Sequence, residues 1–180
     1  MDILYISGSP RKKSNTDYLL KLILSITGGL FLKLSDFDIQ PCKSCWACLK
    51  LSKCVIKDDM SEKLIPLLLN CEGMVIGSPV FFNNVSSQLK AFIDRTWSLR
   101  GQLRNKIGGT VVVGRAYGAE SAITAINSFF LKHEMIPANR GISGVASKIN
   151  EIKQDFEAIE ATKRLGMRIL ELNKLINGIR

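Results

Sequence analysis

Histidine is almost missing from this chain: one stands among 180 residues, at position 133. Sites that need several imidazoles, such as a His-ligated catalytic zinc, are thereby excluded. Acidic residues are also scarce, 16 against 25 lysines and arginines, which leaves a formal net charge of +9. The basic residues are spread along the chain apart from Arg11-Lys12-Lys13 and Lys163-Arg164, and no zinc-finger, RNA-recognition or helix-turn-helix signature accompanies them. The charge therefore suits anionic cofactors or an acidic electron-transfer protein such as a ferredoxin, and not nucleic acid. No apolar run approaches the roughly 18–20 residues of a membrane helix. The richest, Leu64 to Leu69, is short and holds Pro66. Neither G-x-x-x-x-G-K-[ST] nor G-x-G-x-x-G occurs, which weighs against a nucleotide-hydrolysing P-loop and a dinucleotide site.

What the chain has is cysteine in one place. Cys42, Cys45, Cys48 and Cys54 read C-x2-C-x2-C-x5-C, four of its five cysteines within thirteen positions. Two-residue spacers let the backbone curl around a compact inorganic core and aim successive sulfurs inward. Structural zinc more often uses two pairs separated by a longer stretch, so the third cysteine favours an iron–sulfur cluster, with zinc as the alternative. Asp2 follows Met1 with no charged and apolar leader, so the expectation is a reducing cytoplasmic setting in which the thiols are free for metal and not for disulfides. Cys71 stands apart and reads as a small buried hydrophobe. His133 falls near a predicted helix end, where a charged imidazole would complement the dipole. Asp94 and Arg95 are neighbours on a helix and cannot face each other; they read as a solvated face, with a subunit contact as the alternative.

Residues 1–180, 46% of them hydrophobic, suffice for one domain with its own core. Ile3 to Ile6 reads as a strand, followed by a helix capped at Ser14 or Asn15 and stopped at Gly28-Gly29. Strands are expected at Leu30–Leu34, Met74–Gly77, Gly109–Val113 and, more weakly, within Met135–Val145. Helices are expected from about Asp58 to Leu69, Ser86 to Leu99, Glu120 to Lys132 and Ile149 to Ile176. Strands alternating with helices predict an α/β, flavodoxin-like doubly wound parallel sheet of order 2-1-3-4-5, with its ligand crevice at the carboxyl ends of strands one, three and four. Residues 35–57, the cysteine segment, interrupt this rhythm as a long loop without regular structure. Because this loop leaves strand two, the sequence places it on the same rim as the crevice.

Three turns face that crevice. The first, Ser7 to Thr16, offers Ser9, Arg11, Ser14, Asn15 and Thr16 together with the free N–H groups of a helix start, donors suited to a phosphate monoester; a polar turn with a good cap is the plainer alternative. The second carries Pro79, Val80, Phe81, Phe82, Asn83 and Asn84, apolar and amide groups able to bracket a flat ring and bond its edge. The third adds Gly114, Tyr117 and Gly118. Converging on one switch point, they fit a ligand with a phosphate and a flat ring.

The stretch Gly8–Thr16, the segment Ser78–Arg95 and the cysteine run with Asp58-Asp59-Met60 behind it resemble the iron–sulfur flavoprotein branch of the NADPH-dependent FMN reductase, flavodoxin-like family. The resemblance spans residue 3 to about residue 130. It implies FMN, with its phosphate at Ser9, Arg11, Ser14, Asn15 and Thr16 and its isoalloxazine beside Pro79 to Asn84. It also implies a [4Fe-4S] cluster on Cys42, Cys45, Cys48 and Cys54, and a homodimer or homotetramer that brings cluster and flavin close. No protein nucleophile is required, since the cofactors carry the chemistry. The leading expectation is an FMN-dependent electron-transfer oxidoreductase serving a protein or small-molecule acceptor. The alternatives are an NAD(P)H-dependent FMN or quinone reductase with an empty cysteine loop, and a zinc-stabilised flavodoxin-like binding protein.

Overall fold

The computed structural model describes residues 2–179. Strand β1 (Ile3–Ser7) is buried along its whole length, so its side chains must serve two cores at once. Ile3 and Tyr5 point to one face of the sheet, Leu4 and Ile6 to the other. All pairings around it are parallel: Tyr5 lies opposite Phe31 of β2 (Leu30–Lys33) and opposite Val75 of β3 (Gly73–Pro79). β3 in turn pairs with β4 (Ile107–Gly114), which completes the order 2-1-3-4-5 predicted from sequence.

The last strand is broken. β5 (Ile136–Pro137) and β6 (Ile142–Val145) both pair with β4, separated by a short detour that ends at Gly141. Across the gap the Asn139 side chain substitutes for a peptide: its Oδ1 accepts from Thr110 N at 3.1 Å and its Nδ2 donates to Thr110 O at 3.2 Å. This keeps the buried backbone of β4 satisfied where no strand lies beside it.

Helix α1 (Asn15–Thr27) and α6 (Phe156–Ile179) cover one face; α3 (Ile65–Asn70), α4 (Ser87–Arg95) and α5 (Ala119–Lys132) cover the other. Ser14 caps α1 by accepting from Asp17 N at 3.2 Å, and Gly28 ends it at φ 70. The helix expected from Asp58 opens instead with a π turn at Met60–Leu64 before α3, and the one expected through Leu99 tightens into a 3-10 turn at Thr96–Leu99. The final helix begins at Phe156 and not near Ile149. Asp155 is its cap, with Oδ1 accepting from Ala158 N at 2.9 Å, while Glu151–Gln154 forms a separate 3-10 turn. The cysteine segment is also more structured than expected, containing a 3-10 turn at Leu34–Asp36 and a short exposed helix, α2 (Ala47–Leu51). Among the described residues no helix is long and apolar enough to cross a membrane.

Candidate functional sites at opposite ends of two helices

The loops after β1 and β3 are locked together by one hydroxyl. Ser86, the cap of α4, donates to Gly8 O at 2.6 Å and accepts from Leu89 N at 3.3 Å, while Gly8 N donates to Gly77 O at 2.8 Å. A Cβ at Gly8 would stand 2.9 Å from Leu89 Cβ and from Ser86 Oγ, so the close approach requires glycine. Above this junction lies a pocket of about 90 Å³, lined by Ser9, Arg11, Ser14, Asn15, Thr16, Pro79, Val80, Phe81 and Gly114 among others. Its volume suits a single small anion and falls far below the roughly 300–1,000 Å³ that would enclose a drug-sized ligand. Outside it, the turn after β3 and the loop around Tyr117 and Gly118 form a rim.

The rim is aromatic and open. Phe81 to Asn84 forms a tight turn, with Phe82 at φ 50 and Asn83 at φ 60 and with paired backbone bonds of 2.8 and 3.0 Å between Phe81 and Asn84. Phe82 at its tip is fully exposed, and Tyr117 is 75% exposed. Gly118, at φ 79, backs the turn so closely that a Cβ there would meet Asn83 Oδ1 at 2.5 Å. Asn83, Asn84, Phe82, Tyr117 and Gly118 thus build the rim and not the small pocket itself.

Several contributors were not legible in sequence. Asp17, buried in the first turn of α1, accepts from Ser7 Oγ at 2.5 Å and pairs with Lys33, which also donates to Arg11 O at 2.7 Å and so tethers the loop after β1. Arg115, Ala146 and Ser147 close the pocket from β4 and β6. The segment after β6 is held by Glu151, whose carboxylate accepts from Ser147 N and Lys148 N at 2.5 and 2.7 Å, and these backbone bonds hold its carboxyl below the usual range. Asn15 Nδ2 donates to Lys148 O at 2.8 Å, leaving Asn15 Oδ1 buried without a partner.

The four clustered cysteines line a second cavity, of about 760 Å³. Its remaining wall comes from Ile93 to Ser98 at the carboxyl end of α4 and from Ala125 to His133 along α5. This overturns the expectation that cysteine loop and crevice share a rim. Ser86 and Gly118, at the amino ends of α4 and α5, stand beside the small pocket and its rim; the cysteine cavity lies against the carboxyl-terminal parts of the same helices. The cavity wall begins at Ile93 on α4 and at Ala125 on α5, seven residue steps from Ser86 and Gly118, which is about 10 Å along either helix. The reason is a buried charge. Arg95, read from sequence as surface, is fully buried and grips Asp58 at 2.5 and 2.9 Å. It also donates to Gln40 O at 2.7 Å, and Asp58 accepts from Gln40 N at 2.9 Å, so both limbs of the loop are drawn down over α4. Asp94, as expected, does not pair with Arg95; it bonds Lys90 one turn back.

Cys42 and Cys45 are exposed, Cys48 and Cys54 half-buried, and Ser44, Trp46 and Ser52 hold positive φ. Among the described residues no three His, Cys, Asp or Glu side chains converge closely enough for one ion. The donor set, four thiols lining one cavity with Arg95 on its wall, is nonetheless the chemistry a thiolate-held metal centre uses. Cys71 is buried at the carboxyl end of α3, its thiol donating to Leu68 O at 3.3 Å and pushed up to about 11 by burial. His133 does not act as a cation at a helix end: it is buried edge-on against Phe129, and desolvation, with Lys132 beside it, lowers its pKa.

The model of the NADPH-dependent FMN reductase family matches residues 1–149. The chain belongs to that family. It is accordingly a flavin-dependent oxidoreductase. An iron–sulfur flavoprotein of Methanocaldococcus jannaschii is 38% identical, covering 98% of this chain and 99% of its own. One from Methanosarcina thermophila is 31% identical over 98% and 97%. RosB, solved with a bound 8-demethyl-8-formylriboflavin-5'-phosphate, superposes at a TM-score of 0.82 with 15% identity, covering 99% of this chain and 81% of that one. An archaeal flavodoxin gives 0.61 at 16% identity, over 95% and 97%. These structures establish the flavodoxin-like fold.

Proposed function

We propose that this protein is an FMN-dependent electron-transfer oxidoreductase that holds an iron–sulfur cluster on Cys42, Cys45, Cys48 and Cys54 and passes electrons between subunits. The observation that carries the reading is the placement of an anion pocket and a four-cysteine cavity at opposite ends of α4 and α5. When bound, FMN exchanges electrons in pairs or singly and the cluster singly. Arg11, Ser14, Asn15 and the first-turn N–H groups of α1 bind the phosphate dianion. Val80 and Phe81 carry the ring, and the open turn of Phe82 with Tyr117 leaves one side of it uncovered. The separation of the two sites along α4 and α5, together with this exposed rim, favours a homo-oligomer in which a neighbour's cysteine loop covers the flavin edge. The net charge of +9 favours an acidic electron-transfer partner over a neutral one.

The names of the relatives support both cofactors. The test is anaerobic purification with flavin, iron and acid-labile sulfide measured per chain, followed by flavin photoreduction at decreasing protein concentration. Iron and sulfide should accompany FMN, and dilution to monomer should slow electron exchange with both cofactors retained. Stoichiometric zinc without sulfide would favour the zinc-stabilised alternative. A monomer exchanging electrons at full speed would refute the cross-subunit arrangement.

A further inference from the structure

The cavity of the four cysteines has a second wall, and two of its buried N–H groups lack partners. Arg95 uses its Nη atoms on Asp58, on Gln40 O and on Ser61 Oγ at 3.0 Å, yet its Nε is buried with no acceptor. Arg95 lines the cavity together with Cys54. Two residues on, Trp97 lines the cavity with its ring flanked by Arg100 at 5.0 Å and Lys132 at 5.3 Å, and its Nε1 is likewise buried without an acceptor. Buried N–H groups without partners are rare because each costs the lost hydrogen bond, so two on one wall need an acceptor.

His133 Nδ1 is also buried there and unpartnered, but it is not a third donor. Thr96 spends its one hydroxyl hydrogen on Ile93 O at 2.6 Å, so at 3.0 Å His133 Nε2–H must donate to Thr96 Oγ1. In the neutral imidazole that burial favours, Nδ1 is then a lone pair.

Resting on the iron–sulfur reading, we propose that Arg95 Nε–H and Trp97 Nε1–H are hydrogen-bond donors to the sulfur atoms held in this cavity, and that they set its reduction potential. Thiolate and sulfide are the acceptors these donors lack elsewhere, and hydrogen bonds to cluster sulfur favour the more electron-rich state. Both are positioning residues: neither ligates metal, and Arg95 also orients Cys54 by fixing both limbs of its loop.

The experiment is an EPR-monitored redox titration of the anaerobically isolated protein after iron and sulfide have been measured. Trp97→Phe preserves the ring and removes only the N–H; it should retain iron and sulfide and lower the midpoint so that the reduced-to-oxidised ratio at the wild-type midpoint falls several-fold, a tenfold fall being about 59 mV for one electron. Arg95→Lys should lower it further and shed iron. Because Arg95 is buried and its variants can fail to fold, wild-type protein labelled with 15N-arginine or 15N-tryptophan supplies an independent readout: pulsed EPR of the reduced centre should show 15N hyperfine coupling in each. An unchanged midpoint in Trp97→Phe, or no 15N coupling in loaded wild type, overturns the assignment. Wild type lacking iron and sulfide overturns the iron–sulfur reading itself, and this wall with it.

Discussion

Arg95 Nη1 and Nη2 meet Asp58 Oδ2 and Oδ1 at 2.5 and 2.9 Å, a fork-to-fork pair with both side chains wholly removed from solvent. A buried pair of this kind owes its worth to completeness: Gln40 N and Ser61 N fill the other lone pairs of Asp58, and Gln40 O takes a further guanidinium hydrogen. It joins the carboxyl end of α4 to residues 40 and 58, the flanks of the cysteine loop, and thereby decides where four thiols stand.

Replacing Asp58 with Asn leaves the guanidinium buried and unpaired, and should cost about 3–5 kcal/mol of stability. Urea unfolding measures the loss. Limited proteolysis should cut within residues 41–57 in the variant before the rest of the domain opens, and equal resistance would show that the loop is held by something else.

The same pair sets an acid limit. Burial raises the Asp58 pKa, but bonds from Arg95, Gln40 N and Ser61 N and the Arg95 charge outweigh it, bringing the carboxyl to about 2 from 3.8. A carboxylate depressed in the folded state contributes stability above its unfolded pKa and loses it as pH falls through the folded one. Stability of the wild type should therefore decline between about pH 4 and 2, and the Asp58→Asn variant should show less of this slope.

His133 acts in a neighbouring window. Its pKa is lowered from 6.5, first by desolvation and then by Lys132, so the unfolded chain binds the proton more readily. Stability should fall as pH drops below about 6.5, and His133→Gln should flatten the dependence between pH 7 and 5. An identical slope in the two proteins contradicts a neutral buried imidazole.

Gly118→Ala introduces a Cβ 2.5 Å from Asn83 Oδ1 at a φ of 79, so the turn carrying Phe81 and Phe82 must move. FMN affinity, read by flavin fluorescence, should weaken about tenfold while iron content holds, because the cysteine cavity lies at the far ends of α4 and α5. Equal loss of both cofactors would mean the two sites are not separate.

Cys→Ser at positions 42, 45, 48 or 54 should each deplete iron and sulfide, and Cys71→Ser should not, because Cys71 is buried at the carboxyl end of α3 and does not line the cavity of the other four. Analysis of metal and sulfide per chain checks this directly.

The cap at Ser14 or Asn15, the stop at Gly28-Gly29 and the cysteine spacing were legible in the amino-acid order because each rests on local preference, and the sheet order because alternating strands and helices admit few parallel topologies. The fracture of the last strand was not: it depends on Asn139 finding Thr110, twenty-nine residues away. Nor was the role of Arg95. Beside Asp94 on a helix with an exposed flank it reads as surface, and only the approach of Asp58, thirty-seven residues earlier, makes its burial affordable. The sequence by itself determined which groups could hold a phosphate and which could hold a metal, since those are properties of side-chain chemistry. The distance between the two sites was decided in the tertiary structure, where one buried ion pair folds the cysteine loop along α4 and away from the crevice at its other end.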